Sequence, residues 1–202
     1  MLFRSCTMDC GEYNNIHPVD KRTPGERLGN CALRQVYGMS RIPVYGPTVL
    51  GFRCDEGGRV RLFFRYAHGL HFSGTAPDSF GDEFAKSLPS LVRLPERSGF
   101  ELAGADGVFH PAYAAIFVDC DIDDLVNAKV NVVDYNATEF GIPINSRSIG
   151  TITLATPEVP APVMMRYAWR SWGPAPLFND NNLPAHPFKL DLTDHTDSDH
   201  AE

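Results

Sequence analysis

The sequence predicts a mainly β protein with one clear helix near its start. Three observations carry this. Glycine (17) and proline (16) stand mostly as punctuation between short β-rich runs, the pattern of an all-β module with turns. A single early stretch has start and stop signals around an apolar stripe of helical period. After it the apolar period changes to two. The order of loop, helix and then many strands reads as the last element of an α/β domain joined to an appended β-module.

The elements follow in order. Thr23 is set as N-cap, Pro24 as first helical residue and Glu26 three positions after the cap, a capping box with proline in its favoured place. Leu28, Cys31, Ala32 and Val36 form the stripe and Gly38 is a natural stop, so the helix is expected over 24–37. Residues 48–53 read as a strand, Asp55-Glu56-Gly57-Gly58 as a turn and 59–67 as the partner strand. In that partner Val60, Leu62, Phe64 and Tyr66 share one face, and Arg59, Arg61 and Arg65 share a solvated one. Runs at 99–103 and 108–109 flank the turn Gly104-Ala105-Asp106-Gly107, and 113–118, 129–133, 151–155 and 163–169 complete the series. Their spacing suggests a β-sandwich. Residues 77–98 and 134–148 lack periodicity and read as long loops or insertions.

At 202 residues, 43% hydrophobic and 21% charged, the chain is neither a disordered segment nor a coiled coil, and it has room for a core. The net charge is −7, but residues 191–202 hold five acids and no base, which leaves the rest near −2. That is no footprint for nucleic acid. No run of 18 apolar residues is present to span a membrane, and the opening Met1-Leu2-Phe3-Arg4-Ser5-Cys6 is too short and polar to read as a signal peptide. The five cysteines are irregularly spaced; Cys6 and Cys10 lack the second pair of a zinc ribbon and read as ordinary thiols. His68 and His71 lack further ligands, so no metal site is expected there.

Three stretches carry a resemblance. The first is Asp9-Cys10-Gly11-Glu12-Tyr13-Asn14-Asn15-Ile16-His17-Pro18-Val19-Asp20-Lys21, with Gly25-Glu26-Arg27-Leu28 after it. The second is Gly99-Phe100-Glu101-Leu102-Ala103-Gly104-Ala105-Asp106-Gly107-Val108-Phe109-His110-Pro111-Ala112. The third is Arg166-Tyr167-Ala168-Trp169, then Leu177-Phe178-Asn179, then Leu183-Pro184-Ala185-His186-Pro187-Phe188. In this order they resemble the C-terminal part of the sialate O-acetylesterase-type carbohydrate esterases, a branch of the SGNH hydrolases. Similar segments cover most of residues 7–190.

The resemblance implies removal of acetyl groups from sugar hydroxyls, so an O-acetylated carbohydrate as substrate. It implies a serine nucleophile, a histidine base and an oxyanion hole on a flavodoxin-like α/β core, with no metal or organic cofactor. It divides the chain into the end of that core (1–45), a β-sandwich module (46–190) and an acidic tail expected to be disordered (191–202). The family's serine lies in a Gly-Gln-Ser-Asn-like block, and these residues contain none. The implied partner is an N-terminal esterase segment or subunit carrying the serine, and the isolated chain is expected to be inactive. Family members are often secreted, periplasmic or lysosomal. The helix at 24–37 would then expose apolar surface, which predicts association.

His17 resembles the general base, the only side-chain type whose unperturbed pKa suits that exchange at neutral pH. Many SGNH hydrolases carry Asp three residues before this histidine; here that position is Asn14, and Asn15 follows it. Neither can steady an imidazolium by charge. Asp9 reads as a turn former or, if the loop folds back, as the orienter. Asp20 and Lys21 read as loop surface. Asn14, Asn15 and Trp172 are candidate substrate contacts. Trp169 ends an alternating strand and is expected in the core. His110 reads as a strand-end residue, and His195 and His200 fall in the tail. Asn136-Ala137-Thr138 has the form of an N-glycosylation site. The alternative reading is a non-catalytic β-sandwich that binds carbohydrate or docks onto a partner domain, with no need of His17.

Overall fold

Alternation builds the architecture. Val60, Leu62 and Phe64 of one strand, and Ile152 and Leu154 of its neighbour, turn to the same side and are fully buried. The computed structural model describes residues 5–73, 91–117, 131–132 and 149–193. In chain order the elements are α1 (Arg22–Gln35), β1 (Thr48–Asp55), β2 (Arg59–Arg65), β3 (His71–Phe72), β4 (Leu91–Arg93), α2 (Pro95–Ser98), β5 (Phe100–Ala103), β6 (Phe109–Pro111), β7 (Tyr113–Phe117), β8 (Asn131–Val132), β9 (Gly150–Ala155), β10 (Met164–Tyr167), β11 (Leu177–Phe178) and β12 (Phe188–Asp191). Among the described residues the chain is mainly β with one long helix, as its period pattern predicts.

A six-stranded sheet has the order β4-β7-β9-β2-β1-β8, a four-stranded sheet β12-β10-β5-β6, and β11 pairs with β3. The two larger sheets share one core. Phe64, Ile116 and Leu154 come from the first, and Phe100, Leu102, Met165 and Leu190 from the second. Phe188 bridges them, its ring 6.0 Å from that of Phe64 and 5.6 Å from that of Tyr167. The buried Tyr167 hydroxyl accepts the Leu177 N–H at 2.9 Å, which anchors β11 to this core. Burial pushes that phenol far above its ordinary pKa.

Several boundaries differ from expectation, each for a local reason. The helix runs over Arg22–Gln35 rather than 24–37, and its N-cap is Lys21, without a side-chain bond. Asp20 does the capping instead: its Oδ1 accepts the Thr23 N–H at 3.0 Å. Pro24 is tolerated inside the first turn because the N–H groups there have no helical partner. Glu26 does not reach back to a cap but pairs with Arg22 at 2.6 Å. β2 stops at Arg65 because Tyr66 takes a left-handed φ of 54° and stacks on Tyr45. β10 stops at Tyr167 because Ala168 does the same at 48°. The expected loop over 77–98 contains β4 and α2, elements of three and four residues, too short for any period to show. The arginine face of β2 is half-buried: Arg61 bonds Asp55 at 3.2 Å and lies 5.6 Å over the Phe117 ring. The stretch 134–148 with its glycosylation sequence, Cys120, His195 and His200 lie outside the described residues.

Candidate functional site

The loop that carries His17 is shaped by Glu12. Glu12 Oε1 accepts the Val19 N–H at 2.6 Å, and Oε2 accepts Asn15 Nδ2 at 3.0 Å. Asn15 Oδ1 in turn accepts the His17 N–H at 2.9 Å. The Val19 bond, then the Asn15 bond, holds the Glu12 carboxyl below its ordinary pKa. The loop is therefore clamped on both sides of residues 16 and 17. His17 itself is exposed, and its ring has no bonding partner among the described residues. Asn14 is exposed as well, while both polar atoms of Asn15 serve the loop frame.

A second set of bonds ties this loop to the β-module. Asp9 faces Arg27 with both oxygens, at 2.7 Å each. Arg27 also donates to the Cys6 carbonyl at 2.7 Å and to the Asn182 carbonyl at 3.4 Å. One guanidinium on α1 thus joins the N-terminal segment to the loop after β11, the fork geometry that suits arginine to such a junction. The Cys6 thiol donates to the Ala185 carbonyl at 3.6 Å. Cys10 and Cys31 are buried and Cys54 exposed, all as free thiols pushed up in pKa by desolvation.

Trp172 is the candidate that the fold brings to the loop. Its ring meets Tyr13 edge-on, with centroids 5.6 Å apart, while 54% of Trp172 and 76% of Tyr13 stay exposed. Trp169, expected in the core, is 51% exposed instead. The left-handed Ala168 breaks the strand alternation one residue earlier and turns this ring outward. A cleft of about 50 Å³ opens beside it, lined by Glu96, Glu101, Arg170 and Pro174 among others. Glu101 in its lining is buried and accepts Arg166 Nε at 2.6 Å and a bond from Arg170. Burial alone would raise the Glu101 carboxyl; the two guanidinium groups outweigh it and hold the carboxyl below its usual range. Arg166 lies 4.0 Å over the Phe109 ring.

Sequence reasoning missed the His68–Asp180 pair, Nδ1 to Oδ2 at 2.6 Å between exposed side chains 112 residues apart. Nothing in the sequence near either residue signals it. Gly69 makes the approach: at φ 61° a Cβ there would sit 2.6 Å from the Cβ of Asp180. His71 bonds the Gly69 carbonyl at 2.9 Å and stacks on Phe178, so the two histidines serve different partners. His110 pairs with Glu158 at 2.8 Å. Ser98 is buried and donates to the Ala112 carbonyl at 2.6 Å, a structural hydroxyl. Among the described residues no three His, Cys, Asp or Glu side chains group as metal ligands, and no helix is long and apolar enough to cross a membrane.

The chain is similar to a solved structure of a carbohydrate acetylesterase from Xanthomonas citri. The TM-score is 0.58, with 27% identity over 91% of this chain. The chain spans only 31% of that esterase. No family model matches the chain, and no curated protein matches it. The fold is thus like that of part of a carbohydrate esterase.

Proposed function

We propose that this chain is the C-terminal part of a carbohydrate O-acetylesterase of the sialate type, in the SGNH group, and that His17 is its general base. The observation that carries the reading is the match of 91% of the chain to a 31% share of a carbohydrate acetylesterase. The similarity of the three motif stretches supports it. In this reading residues 1–45 end the catalytic core and 46–190 form the β-module; the acidic tail expected from 191 onward begins later than that, because Asp191 closes β12 and Leu192 is buried in the core.

The chemistry is acyl transfer. A serine from outside these residues attacks the acetyl carbonyl carbon while His17 takes its proton. His17 returns the proton to the sugar oxygen as the C–O bond breaks, and the acyl-serine remains. Water then attacks in the same way, and acetate leaves. Two features support His17 in this role: its ring is exposed, and its backbone is clamped through Asn15 and Glu12. Asp9, locked to Arg27, anchors the loop. Asn14, exposed in the same loop, and Trp172, whose ring meets Tyr13 of that loop, are the candidate sugar contacts.

The test is acetate release from O-acetylated sugars. The full chain alone should release none. Mixed with the part of the Xanthomonas citri esterase that the match leaves uncovered, it should release acetate. Hydrolysis by the pure chain alone, unchanged by His17→Ala, would end the reading. A second reading has its own support in the exposed Trp169, Trp172 and Tyr13, since aromatic faces suit sugar rings. It makes the chain a non-catalytic module that binds carbohydrate. Sugar binding that is lost with Trp172→Ala, together with no acetate from the mixture, would favour it.

A further inference from the structure

We infer that the cleft beside Trp169 is a subsite of the β-module for an acetyl group that is held and not hydrolysed, carried on a neutral carbohydrate whose ring rests on Trp169. The inference rests on the carbohydrate part of the proposed function and not on His17. It adds a second place of contact, with its own ligand chemistry.

Two segments build the cleft. α2 supplies Pro95 and Glu96, and the turn after β10 supplies Trp169, Arg170 and Pro174. The Ala168 N–H donates to the Gly99 carbonyl at 2.9 Å, which fixes one segment against the other. A single exposed aromatic residue is ordinary. A half-exposed tryptophan that lines a concavity, with a few polar groups beside it, has the make-up of a small-ligand site.

The charge of the ligand follows from the groups around the cleft. Glu96 and Glu101 bring carboxylates to the lining. Arg170 in the lining and Arg166 behind Glu101 bring guanidinium groups in equal number, both bonded to Glu101. The sum is near zero, which favours neither an anion nor a cation. Both Glu101 oxygens are engaged, so this residue holds Arg170 in place. The Arg170 side chain is still more than half exposed, and a guanidinium carries N–H donors beyond the one used on Glu101. Those donors suit a neutral acceptor such as a carbonyl oxygen.

Size narrows the group further. The cleft of about 50 Å³ has room for roughly three to five waters. That is the bulk of an acetyl group and too little for a sugar ring. Pro95, Pro111 and Pro174 surround the methyl with apolar atoms, and Arg170 offers the carbonyl a donor. The ring that bears the acetyl group stays outside, where Trp169 presents an aromatic face to its C–H groups. Trp172, which meets Tyr13 of the His17 loop, lies three residues along the same turn. The Cα atoms of Trp169 and Trp172 are therefore at most about 11 Å apart. A carbohydrate chain held at Trp169 can extend to that loop, so the fitting substrate carries more than one acetyl group, one held while another is cleaved.

Heteronuclear NMR titration of the full chain tests the inference. The probes are a partially O-acetylated xylo-oligosaccharide, the same oligosaccharide after alkaline deacetylation, and chitotriose, whose acetyl groups are amides. The O-acetylated probe should shift the Trp169 indole and Arg170 signals and bind about tenfold or more tighter than the deacetylated one. Chitotriose upholds the subsite in either case: the same shifts mean that the acetyl group is read, and their absence that the ester is. Trp169→Ala, at an exposed side chain, should weaken binding by about tenfold, and Trp169→Phe should restore much of it. Trp172→Ala should leave the Trp169 shifts in place. Equal affinity for the acetylated and deacetylated probes would overturn the inference. So would binding indifferent to Trp169→Ala, shifts confined to Tyr13 and Trp172, or no binding of either acetylated probe. Binding at Trp169 with no acetate from the mixture with the Xanthomonas citri part would uphold the subsite and defeat the esterase reading. Acetate release without binding at Trp169 would do the reverse.

Discussion

Asn179 holds the β-module to the segment that carries the candidate site, and its removal has a calculable effect. The residue is buried. Its Nδ2 donates to the Tyr45 carbonyl at 2.9 Å and to the Tyr66 carbonyl at 3.0 Å. Its Oδ1 accepts the N–H groups of Asn181 and Leu183, both at 3.1 Å. One side chain therefore joins the entry to β1, the end of β2 and the loop after β11. That loop also presents the Asn182 carbonyl to Arg27. In Asn179→Ala all four bonds go. At about 1 kcal/mol net per bond the ceiling is about 4 kcal/mol. Water reaches the freed amides, because Asn181 is exposed and Leu183 half-exposed, so the expected loss is about 2–4 kcal/mol. For a chain of this size that lowers Tm by roughly 5–15 °C. Urea unfolding followed by circular dichroism measures it, as a lower midpoint at unchanged slope. Asn179→Asp keeps the two acceptor bonds but sets a carboxylate against two carbonyls, and should be no better than alanine at neutral pH. A loss under about 1 kcal/mol in both variants would refute the reasoning, since even one buried bond is worth that much.

Three further outcomes follow from the same physics. Glu101 is held below its ordinary pKa of 4.5 by Arg166 and Arg170, so its stabilising contribution is complete above that value and is lost as pH falls through the depressed one; urea midpoints should drop on acidification in the wild type and stay flatter in Glu101→Gln, which should lose about 1.5–3 kcal/mol at neutral pH. Gly46→Ala would place a Cβ 2.0 Å from the Pro184 carbonyl oxygen, so a loss of about 3 kcal/mol is expected by thermal unfolding. Arg27→Met removes the bonds to Asp9, Cys6 and Asn182; amide exchange over the N-terminal segment should quicken by roughly tenfold or more while the β-sheet amides hold their rates.

What was legible in the sequence was what local periodicity encodes. The alternation of Val60, Leu62 and Phe64 predicts a strand with one buried face, and the structure buries all three. The stripe through Leu28 and Cys31 marks the only long helix among the described residues. What was not legible depends on single dihedrals and on distant partners. Left-handed Tyr66 and Ala168 end their strands early, and the second of these puts Trp169 in solvent. The two-residue strands β3 and β11 exist only because they pair with each other. At the candidate site the Asp9–Arg27 bond joins residues 18 apart, both inside the quoted motif but without a spacing rule that pairs them. The His68–Asp180 pair needs the whole fold and one glycine to form.

His17 is the residue on which the proposed acyl transfer depends. The decisive measurement is the rate of acetate release by the mixture of the full chain with the uncovered part of the Xanthomonas citri esterase, compared between wild type and His17→Ala. Removal of a general base from an acyl-transfer site should cut the rate by roughly a thousandfold or more, with the complex still formed. An equal rate from both chains would contradict the account.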